Sequence, residues 1–195
     1  MARAGWHRSR CGVSSVTVGR TRTHPLSLPH HPPRHLLPSG DMSDSDPKAL
    51  RGRERKLYPF FLSYRTRWID NDQYSHVNNS VYYHLFDSVV NTYLIQHAHL
   101  DPSRSRLIGL VVSSYCHFFS PVSFPVILDL GLRVTKLGSS SVTYEVAVFE
   151  EGSHVPSAVG GYTHVFVDRH TRKSTPVDSD TKLGLEKLLL LNSKL

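Results

Sequence analysis

The chain has few cysteines and no long apolar run. Only Cys11 and Cys116 occur in 195 residues. A disulfide framework or a thiolate metal site needs several cysteines at short spacings, so neither is indicated, and we expect a reduced, intracellular body. No stretch approaches the roughly 18 uninterrupted apolar residues that a membrane span requires, so none is predicted.

Acidic residues are missing from the first 40 positions, although these carry six arginines. Without those six, the 23 lysines and arginines fall to 17, against 16 acidic residues. A nearly neutral body lacks the basic footprint that binds a phosphate backbone. A nucleic-acid partner is therefore not expected.

Residues 1–41 form a basic leader with two interpretations. Its Arg- and Ser-rich composition is typical of an organellar transit peptide, which would direct the protein to mitochondria. Five prolines between Pro25 and Pro38 forbid a helix over the second half, but residues 2–22 could form one. Alternatively, translation starts at Met42, which would make the protein cytoplasmic. Residues 42–58 are predicted to be a flexible linker in either case.

From residue 59 the apolar pattern becomes regular. Residues 60–68 predict a strand, and from Ser80 apolar residues recur at spacings of three and four, which predicts a helix that ends near residues 97–100. Four further strands are predicted over residues 107–119, 126–137, 142–150 and 155–168, and Gly160 and Gly161 favour a bulge or a close backbone contact in the last one. A short helix is predicted over residues 183–191.

This order predicts an α+β domain, with an antiparallel sheet wrapped around one long central helix. Short polar connectors at residues 138–141 and 151–154 indicate hairpins, so the strands they join should be antiparallel neighbours. The helix can bury its stripe only against the sheet. The remaining sheet surface and edges need cover, so we expect a homodimer or homotetramer.

Polar chemistry is concentrated between the first strand and the helix. Residues 68–79 read WIDNDQYSHVNN, which places two carboxylates, an imidazole and several amides where a connector needs only one or two turn residues. A carboxylate can activate water or attack a carbonyl, and unpaired amides at a helix start can hold the oxyanion that forms. Asp72 is placed to be that carboxylate, although an aspartate before a helix also commonly caps a turn or the helix.

The same residues resemble hot-dog-fold acyl-thioesterases of the 4-hydroxybenzoyl-CoA thioesterase type. The resemblance rests on residues 67–72, on the run from His76 to Asn79 with Tyr82, on residues 119–121 and 136–141, and on Asp168. It covers roughly residues 60–178, so the thioesterase domain is predicted over residues 59–178, and residues 179–195 are a C-terminal helix or tail. It implies a hot-dog fold and hydrolysis of a thioester, without a cofactor.

The resemblance also implies roles for individual residues. The second acid of the family's Asp-x-Asp pair is catalytic, as general base or nucleophile, and it matches Asp72. Related plant acyl-carrier-protein thioesterases use an Asp-x-Asn-x-His arrangement; this chain keeps Asp72 and His76 but has Tyr74 in place of the asparagine. His76 is thus a candidate catalytic assistant or a plain turn residue.

Other residues of the segment have structural and substrate-binding interpretations. Asp70 is predicted to pair with Arg65 or Arg67, or to bond the turn. Asn78 and Asn79 are candidates for the helix cap and could also contact substrate. Asp87 stands where several related thioesterases carry an acid, but it also belongs to a polar stripe that would ordinarily face solvent.

The remaining candidates concern the acyl chain and coenzyme A. Tyr82, Tyr83 and Phe86 could line an acyl tunnel or belong to the core. The hairpin containing Gly138 and Ser139 resembles the family segment beside the pantetheine arm, and it is also an ordinary hairpin turn. Cations available for the coenzyme A phosphates are Arg133, Lys136, Arg169, Arg172 and Lys173. The thirteen histidines lack a metal-ligand spacing, so no zinc site is predicted.

The sequence therefore predicts a hydrolase that cleaves an acyl-CoA, or an acyl group on acyl carrier protein. The alternative is a non-enzymatic hot-dog subunit that binds acyl chains or a protein partner. A hydratase on the same fold is a third possibility, although its usual His- and Asp-containing helix motif is not found.

Overall fold

The computed structural model describes residues 46–189. The leader over residues 1–41, the start at Met42 and residues 190–195 of the predicted C-terminal segment lie outside the described residues. The described part contains the following elements: α1 (Pro47–Arg51), β1 (Phe60–Arg65), α2 (Asn79–His97), β2 (Leu107–Phe118), β3 (Ile127–Leu137), β4 (Ser141–Glu150), β5 (Ala158–Asp168) and α3 (Ser179–Glu186). Single 3-10 turns follow α1 and β1, at Arg55–Leu57 and Trp68–Asp70.

The five strands form one antiparallel sheet in the order β1-β3-β4-β5-β2. Both predicted hairpins are confirmed, since β3 pairs with β4 and β4 pairs with β5. The first two strands of the chain, β1 and β2, lie at the two edges. This α+β arrangement, one long helix against an antiparallel sheet, is the one expected of a hot-dog fold.

The central helix packs on the inner face of the sheet because its apolar residues form a continuous stripe. The helix residues that it buries are Tyr82, Leu85, Phe86, Val89, Val90, Tyr93 and Leu94. They join the inner residues of all five strands in one hydrophobic core. The Asn78 side chain accepts a hydrogen bond from the amide of Ser80, which fixes where the helix begins.

A segment that precedes β1 packs on the outer face of the sheet. The predicted linker over residues 42–58 does not extend over residues 46–58, which we call the strap, because these residues form α1 and a 3-10 turn. Leu50 and Tyr58 are buried against Ala147 and Phe149 of β4. The Tyr58 hydroxyl also donates to the buried Glu145 carboxylate at 2.9 Å.

Two arginines complete the contact between the strap and the sheet. Glu145 is only 2% exposed, and its carboxylate receives Arg53 from the strap at 3.3 Å and Arg133 from β3 at 2.8 Å. A buried carboxylate is stable when it is paired and hydrogen-bonded, as this one is. Arg133 is therefore committed to the outer face of the sheet, and we no longer count it among the cations available for coenzyme A.

The glycine pair of β5 makes the close contact that the sequence favoured. A Cβ atom on Gly160 would lie 2.7 Å from the Phe86 ring, and one on Gly161 would clash with the Tyr144 carbonyl. The register between β5 and its neighbours continues through both glycines, and the bulge of this strand pair lies in β2, near Val112.

The last helix begins earlier than the sequence predicted. The apolar run predicted a helix over residues 183–191, but α3 starts at Ser179 and ends at Glu186. Asp178 sets the start by accepting a hydrogen bond from the Thr181 amide at 2.9 Å. Leu185 and Leu188 then complete the inner core.

The strap should contribute measurably to stability. Leu50 is fully buried, so Leu50→Ala is expected to lower the free energy of unfolding by about 2–5 kcal/mol through lost burial and a cavity. Leu183→Ala is the matched control, because Leu183 is 59% exposed and should change stability by no more than about 0.5 kcal/mol. Denaturant unfolding of both variants gives the comparison. If Leu50→Ala and Leu183→Ala lower the free energy of unfolding by the same small amount, the strap does not belong to the folded domain.

Candidate functional site

The polar segment before α2 is held in place by the loop between β2 and β3. Ser75 has a left-handed backbone, with a φ of 66°, which is uncommon for a residue other than glycine. Three hydrogen bonds tie the segment down: Val77 N to Val122 O at 2.7 Å, Ser123 Oγ to Ser75 O at 2.6 Å, and Phe124 N to Asn71 Oδ1 at 3.1 Å. The side chains of this segment are thus presented from a fixed turn.

Asp72 uses one carboxylate oxygen to hold that turn. Its Oδ1 accepts from the amide of Tyr74 at 2.8 Å and, more weakly, from that of His76 at 3.5 Å. Its own amide donates to the His76 carbonyl at 2.8 Å. Asp72 therefore caps a turn and not the helix, and among the described contacts its Oδ2 has no donor. One oxygen orients the carboxylate while the other stays available for chemistry.

Asp72 lines an open cavity of about 650 Å³. The other lining residues are Trp68, Asn71, Gln73, Ser75, Ser123 and Phe124. Trp68 is 80% exposed and packs edge-on against Phe124, with ring centroids 5.9 Å apart. Asp72 thus lines a cavity whose other residues are two aromatic side chains and several polar ones. Ser123 and Phe124 were not among the predicted site residues, because only the fold brings their loop here.

His76 lies on a second, smaller cavity. This cavity of about 310 Å³ is also lined by Asn79, Tyr82 and residues 118–122. His76 is exposed, and the described contacts join it to Asp72 through the backbone and not through the imidazole. The structure thus places Asp72 and His76 at opposite ends of one tight turn, and the catalytic role of His76 stays a prediction.

Asp70 has the structural role that the sequence indicated. It is 1% exposed, pairs with Arg67 at 2.7 Å, and accepts from the Tyr64 hydroxyl at 2.9 Å. Burial opposes the ionisation of Asp70, but the hydrogen bonds from Arg67 and Tyr64 outweigh it, so the pKa of Asp70 lies below its usual value. Asp70 therefore anchors the segment that carries Asp72.

The two asparagines divide their predicted roles. Asn78 is the helix cap, and its backbone carbonyl also accepts from the amide of Val81 at 2.9 Å. The amides of Ser80 and Val81 are therefore both satisfied by Asn78. Asn79 begins the helix and lines the His76 cavity. Among the described contacts, its backbone N–H has no acceptor. This N–H is the first of the helix and could donate a hydrogen bond to an oxygen on which negative charge develops.

The three aromatic candidates lie in three different environments. Tyr82 lines the His76 cavity, packs edge-on against Phe118 at 5.0 Å, and has its pKa raised to about 12, chiefly by burial. Tyr83 is 40% exposed. Phe86 is fully buried in the core beside Gly160 and lines none of the described cavities. Of the three, Tyr83 is exposed, and Tyr82 is 3% exposed but lines a cavity.

Asp87 is exposed on α2, in the polar stripe that the sequence predicted. The stripe includes Asn91, whose side-chain amide donates to the Asp87 carbonyl at 2.9 Å. The Asp87 carboxylate also lies within electrostatic reach of Tyr162, a buried residue of β5.

Gly138 and Ser139 are not brought to this site within one chain. Ile127 of β3 pairs with Arg65, near the motif, whereas the hairpin lies beyond Leu137 at the other end of the same strand. At about 3.3 Å per residue, the two ends are about 30 Å apart. The hairpin instead contacts the segment before α3, where Val177 N donates to Ser139 O at 2.8 Å.

Two features are absent from the described residues. Between residues 46 and 189, no group of three or more His, Cys, Asp or Glu side chains could hold a metal ion. No helix in the described part of the chain is long and apolar enough to cross a membrane.

Comparison with known proteins identifies a family. Residues 65–185 match the model of the thioesterase-like superfamily. No curated protein matches the sequence significantly. The PA5185 protein from Pseudomonas aeruginosa strain PAO1 is 47% identical to this chain, with a TM-score of 0.68, and the match covers 69% of this chain and 94% of that one.

More distant structures share the fold. Slr0204, a 1,4-dihydroxy-2-naphthoyl-CoA thioesterase from Synechocystis, has a TM-score of 0.60 at 17% identity, over 66% of this chain and 96% of its own. The hypothetical protein SAV2348 from Staphylococcus aureus, solved in complex with CoA, has a TM-score of 0.62 at 13% identity, over 69% and 89%. The predicted hot-dog fold is confirmed.

The lowered pKa of Asp70 predicts how the stability of the protein depends on pH. Because its pKa is lowered in the folded state, its stabilising effect is complete above its usual pKa and is lost as the pH falls through the lowered value. Asp70→Asn is expected to lower the free energy of unfolding by about 1–2 kcal/mol at neutral pH, and this difference should shrink in acid. Denaturant unfolding at several pH values measures it. Glu151→Gln, an exposed control, should show no such trend.

Proposed function

The chain belongs to the thioesterase-like superfamily, and from its site we propose that it hydrolyses an acyl-CoA to the free acid and coenzyme A. The observation that carries this proposal is the Asp72 carboxylate on the wall of a cavity, which is held through Oδ1 and has no donor to Oδ2 among the described contacts. A thioester substrate is supported by the family, and coenzyme A as its carrier by the CoA complex of a protein with the same fold.

Asp72 supplies the attacking group. Its free oxygen either removes a proton from a water molecule that attacks the thioester carbonyl, or attacks the carbonyl itself to form an anhydride that water then hydrolyses. In both routes the carbon–sulfur bond breaks, and the coenzyme A thiolate leaves and takes up a proton. The turn amides keep the carboxylate oriented, which lowers the entropic cost of either attack.

The amide of Asn79 supplies the oxyanion donor. The positive end of the α2 dipole and an N–H without a partner both favour a negative oxygen at this position. His76 lies between Asp72 and Asn79 on the turn and lines the same cavity as Asn79. An imidazole there is suited to orient water, and an imidazole that has taken up a proton can pass it to the leaving thiolate.

The variant Asp72→Asn tests this mechanism. Asparagine keeps the oxygen that accepts from the turn amides, so the fold should be retained while the attacking carboxylate is lost. We expect kcat on acyl-CoA substrates to fall by about 10²-fold to 10⁴-fold, with an unchanged melting temperature. Asp180→Asn, at an exposed aspartate of α3, is the control and should hydrolyse at the wild-type rate.

A screen of short, long, branched and aromatic acyl-CoA substrates supplies the assay. Hydrolysis by Asp72→Asn at the wild-type rate on every substrate would show that Asp72 is not the catalytic carboxylate. Tight acyl-CoA binding by a wild-type protein that cleaves none of them would instead indicate the non-enzymatic binding subunit.

We also propose that two chains pair through β2. This edge strand is 12 residues long, and its central residues, Leu110 to Ser114, are exposed. Val112 is 60% exposed, Val111 48% and Leu110 38%, so apolar side chains surround an unpaired backbone edge. Such an edge invites pairing with another strand, and an identical strand satisfies it around a two-fold axis.

Antiparallel self-pairing would also complete the site. If the axis lies near Val112, the Leu107 end of the partner strand lies beside Phe118, which lines the His76 cavity. The partner hairpin that contains Gly138 and Ser139 is at the same end of the sheet as Leu107. The pairing would therefore bring this hairpin toward the motif of the first chain, as the family resemblance implies.

A charge in the centre of β2 tests the interface. Val112→Lys should shift the protein from dimer to monomer in light scattering and lower its thioesterase activity, because a lysine pair would be buried at the axis. Val155→Lys is the control, since Val155 is 58% exposed outside the strands. A wild-type monomer, or a dimer unaffected by Val112→Lys, would contradict the proposed pairing.

A further inference from the structure

Tyr82 is a buried tyrosine whose hydroxyl has no hydrogen-bond partner among the described contacts. It belongs to the stripe that α2 packs into the core, and it is only 3% exposed. A buried hydroxyl normally finds a partner within the fold. Tyr93, in the same stripe, does so by donating to the Gly184 carbonyl at 2.7 Å. The Tyr82 hydroxyl is therefore an unused donor.

This hydroxyl opens into the His76 cavity. Tyr82 lines that cavity together with His76 and Asn79. The side-chain atoms that the described fold seals from solvent without a partner do not include the Tyr82 hydroxyl. Because the hydroxyl is neither bonded nor sealed, it faces the cavity.

The helix geometry brings the hydroxyl toward the start of α2. Tyr82 follows Asn79 by three residues, so the two lie on one face of the helix, about 4.5 Å apart along its axis. Helical side chains lean toward the N-terminus, so the Tyr82 ring covers the turn that precedes its own Cα atom. That turn begins with Asn79, whose backbone N–H has no acceptor among the described contacts. A hydroxyl and a main-chain amide are thus presented to the same cavity.

The ring of Tyr82 is held in place by the end of β2. It packs edge-on against Phe118, with ring centroids 5.0 Å apart, and Phe118 lines the same cavity. Only the hydroxyl hydrogen has to rotate to meet an acceptor. A donor fixed in this way is preorganised for a charge that appears during a reaction.

Tyr82 keeps its proton at neutral pH. Burial raises its pKa to about 12, with smaller contributions from Cys116 and Glu150. Burial also raises the pKa of the Cys116 thiol to about 12, so this neighbour is uncharged. Tyr82 is therefore a hydrogen-bond donor and not a base at neutral pH.

We propose that the Tyr82 hydroxyl is a second donor to the thioester carbonyl oxygen, beside the Asn79 N–H. The proposal rests on the hydrolase function proposed above and adds a catalytic residue to it. Attack on the carbonyl carbon turns the carbonyl oxygen into an oxyanion, which the two hydrogen bonds stabilise. The carbonyl forms again when the carbon–sulfur bond breaks, so Tyr82 transfers no proton.

The variant Tyr82→Phe removes this donor and keeps the ring. We expect kcat on the acyl-CoA substrates that the wild type cleaves to fall by about 10²-fold to 10³-fold, the effect of one oxyanion donor. The melting temperature should stay unchanged, because the hydroxyl makes no bond within the described fold.

Tyr93→Phe is the matched control on the same helix. It should lower the melting temperature by about 2–8 °C, because the Gly184 carbonyl loses its partner, and it should leave kcat at the wild-type value. The two variants thus separate a catalytic hydroxyl from a structural one.

Two stable coenzyme A analogues separate carbonyl binding from catalysis. In the ketone a methylene group lies between the sulfur and the carbonyl, and in the thioether the carbonyl oxygen is absent. By calorimetry, the wild type should bind the ketone more tightly than the thioether, and Tyr82→Phe should reduce this ratio about twofold to tenfold. If the wild type cleaves no thioester, the proposed hydrolase function fails, and this ratio still tests the contact of Tyr82.

Three results would overturn the inference. Wild-type kcat in Tyr82→Phe, with Asp72→Asn inactive, would do so and leave the hydrolase function in place. An affinity ratio that Tyr82→Phe does not change would also contradict it. A loss of stability in Tyr82→Phe as large as that in Tyr93→Phe would assign the hydroxyl to the packing of the fold.

Discussion

The packing of α2 across the inner face of the sheet is the constraint on which the rest of the molecule depends. The helix buries its whole apolar stripe, so it can neither slide nor rotate without opening the core. Its first turn therefore lies at a fixed height above the sheet. The segment that carries Asp72 is attached to that turn on one side and to the loop between β2 and β3 on the other. The packing of the core therefore fixes the orientation of the Asp72 carboxylate.

The two faces and the β2 edge of the sheet are covered to different extents, so each of them can have a different role. The helix covers the inner face, and the strap covers part of the outer face. The edge strand β2 pairs with β5, and its residue Phe118 lines the His76 cavity. Substrate and a second chain would therefore meet the protein along the same edge. In such an arrangement, assembly and substrate binding are coupled, because whatever stabilises the pairing also encloses the acyl group.

Periodicity was sufficient to predict most of the fold. Alternation and β-branched residues identified the five strands, and a stripe at spacings of three and four identified α2, because both patterns arise from burial on one side. Asp70 and Asn78 were also predictable, since an acid near arginines and an asparagine before a helix make local contacts. Asp72 was chosen from the concentration of polar residues before α2 and mainly from the family resemblance, and the different contacts of its two carboxylate oxygens are visible only in the turn geometry.

Contacts between distant segments could not be predicted in this way. Leu50 and Tyr58 are isolated apolar residues in a charged segment, and their partners on β4 lie about ninety residues further along the chain. The position of the Gly138 hairpin depends on the sheet order, which is not visible in any local pattern. The unbonded hydroxyl of Tyr82 could not be predicted either, because the spacing of Tyr82 on α2 is that of an ordinary core residue.

The strap also bears on how the chain can be shortened by a protease. Cleavage ahead of residue 46 would leave the contacts among residues 46–189 intact. A cut inside the strap would release Leu50 and expose Phe149 and its apolar neighbours on the outer face. Uncovered apolar surface of this kind promotes aggregation. The shortest form that keeps both faces of the sheet covered therefore begins close to Asp46, whichever start or processing site the cell uses.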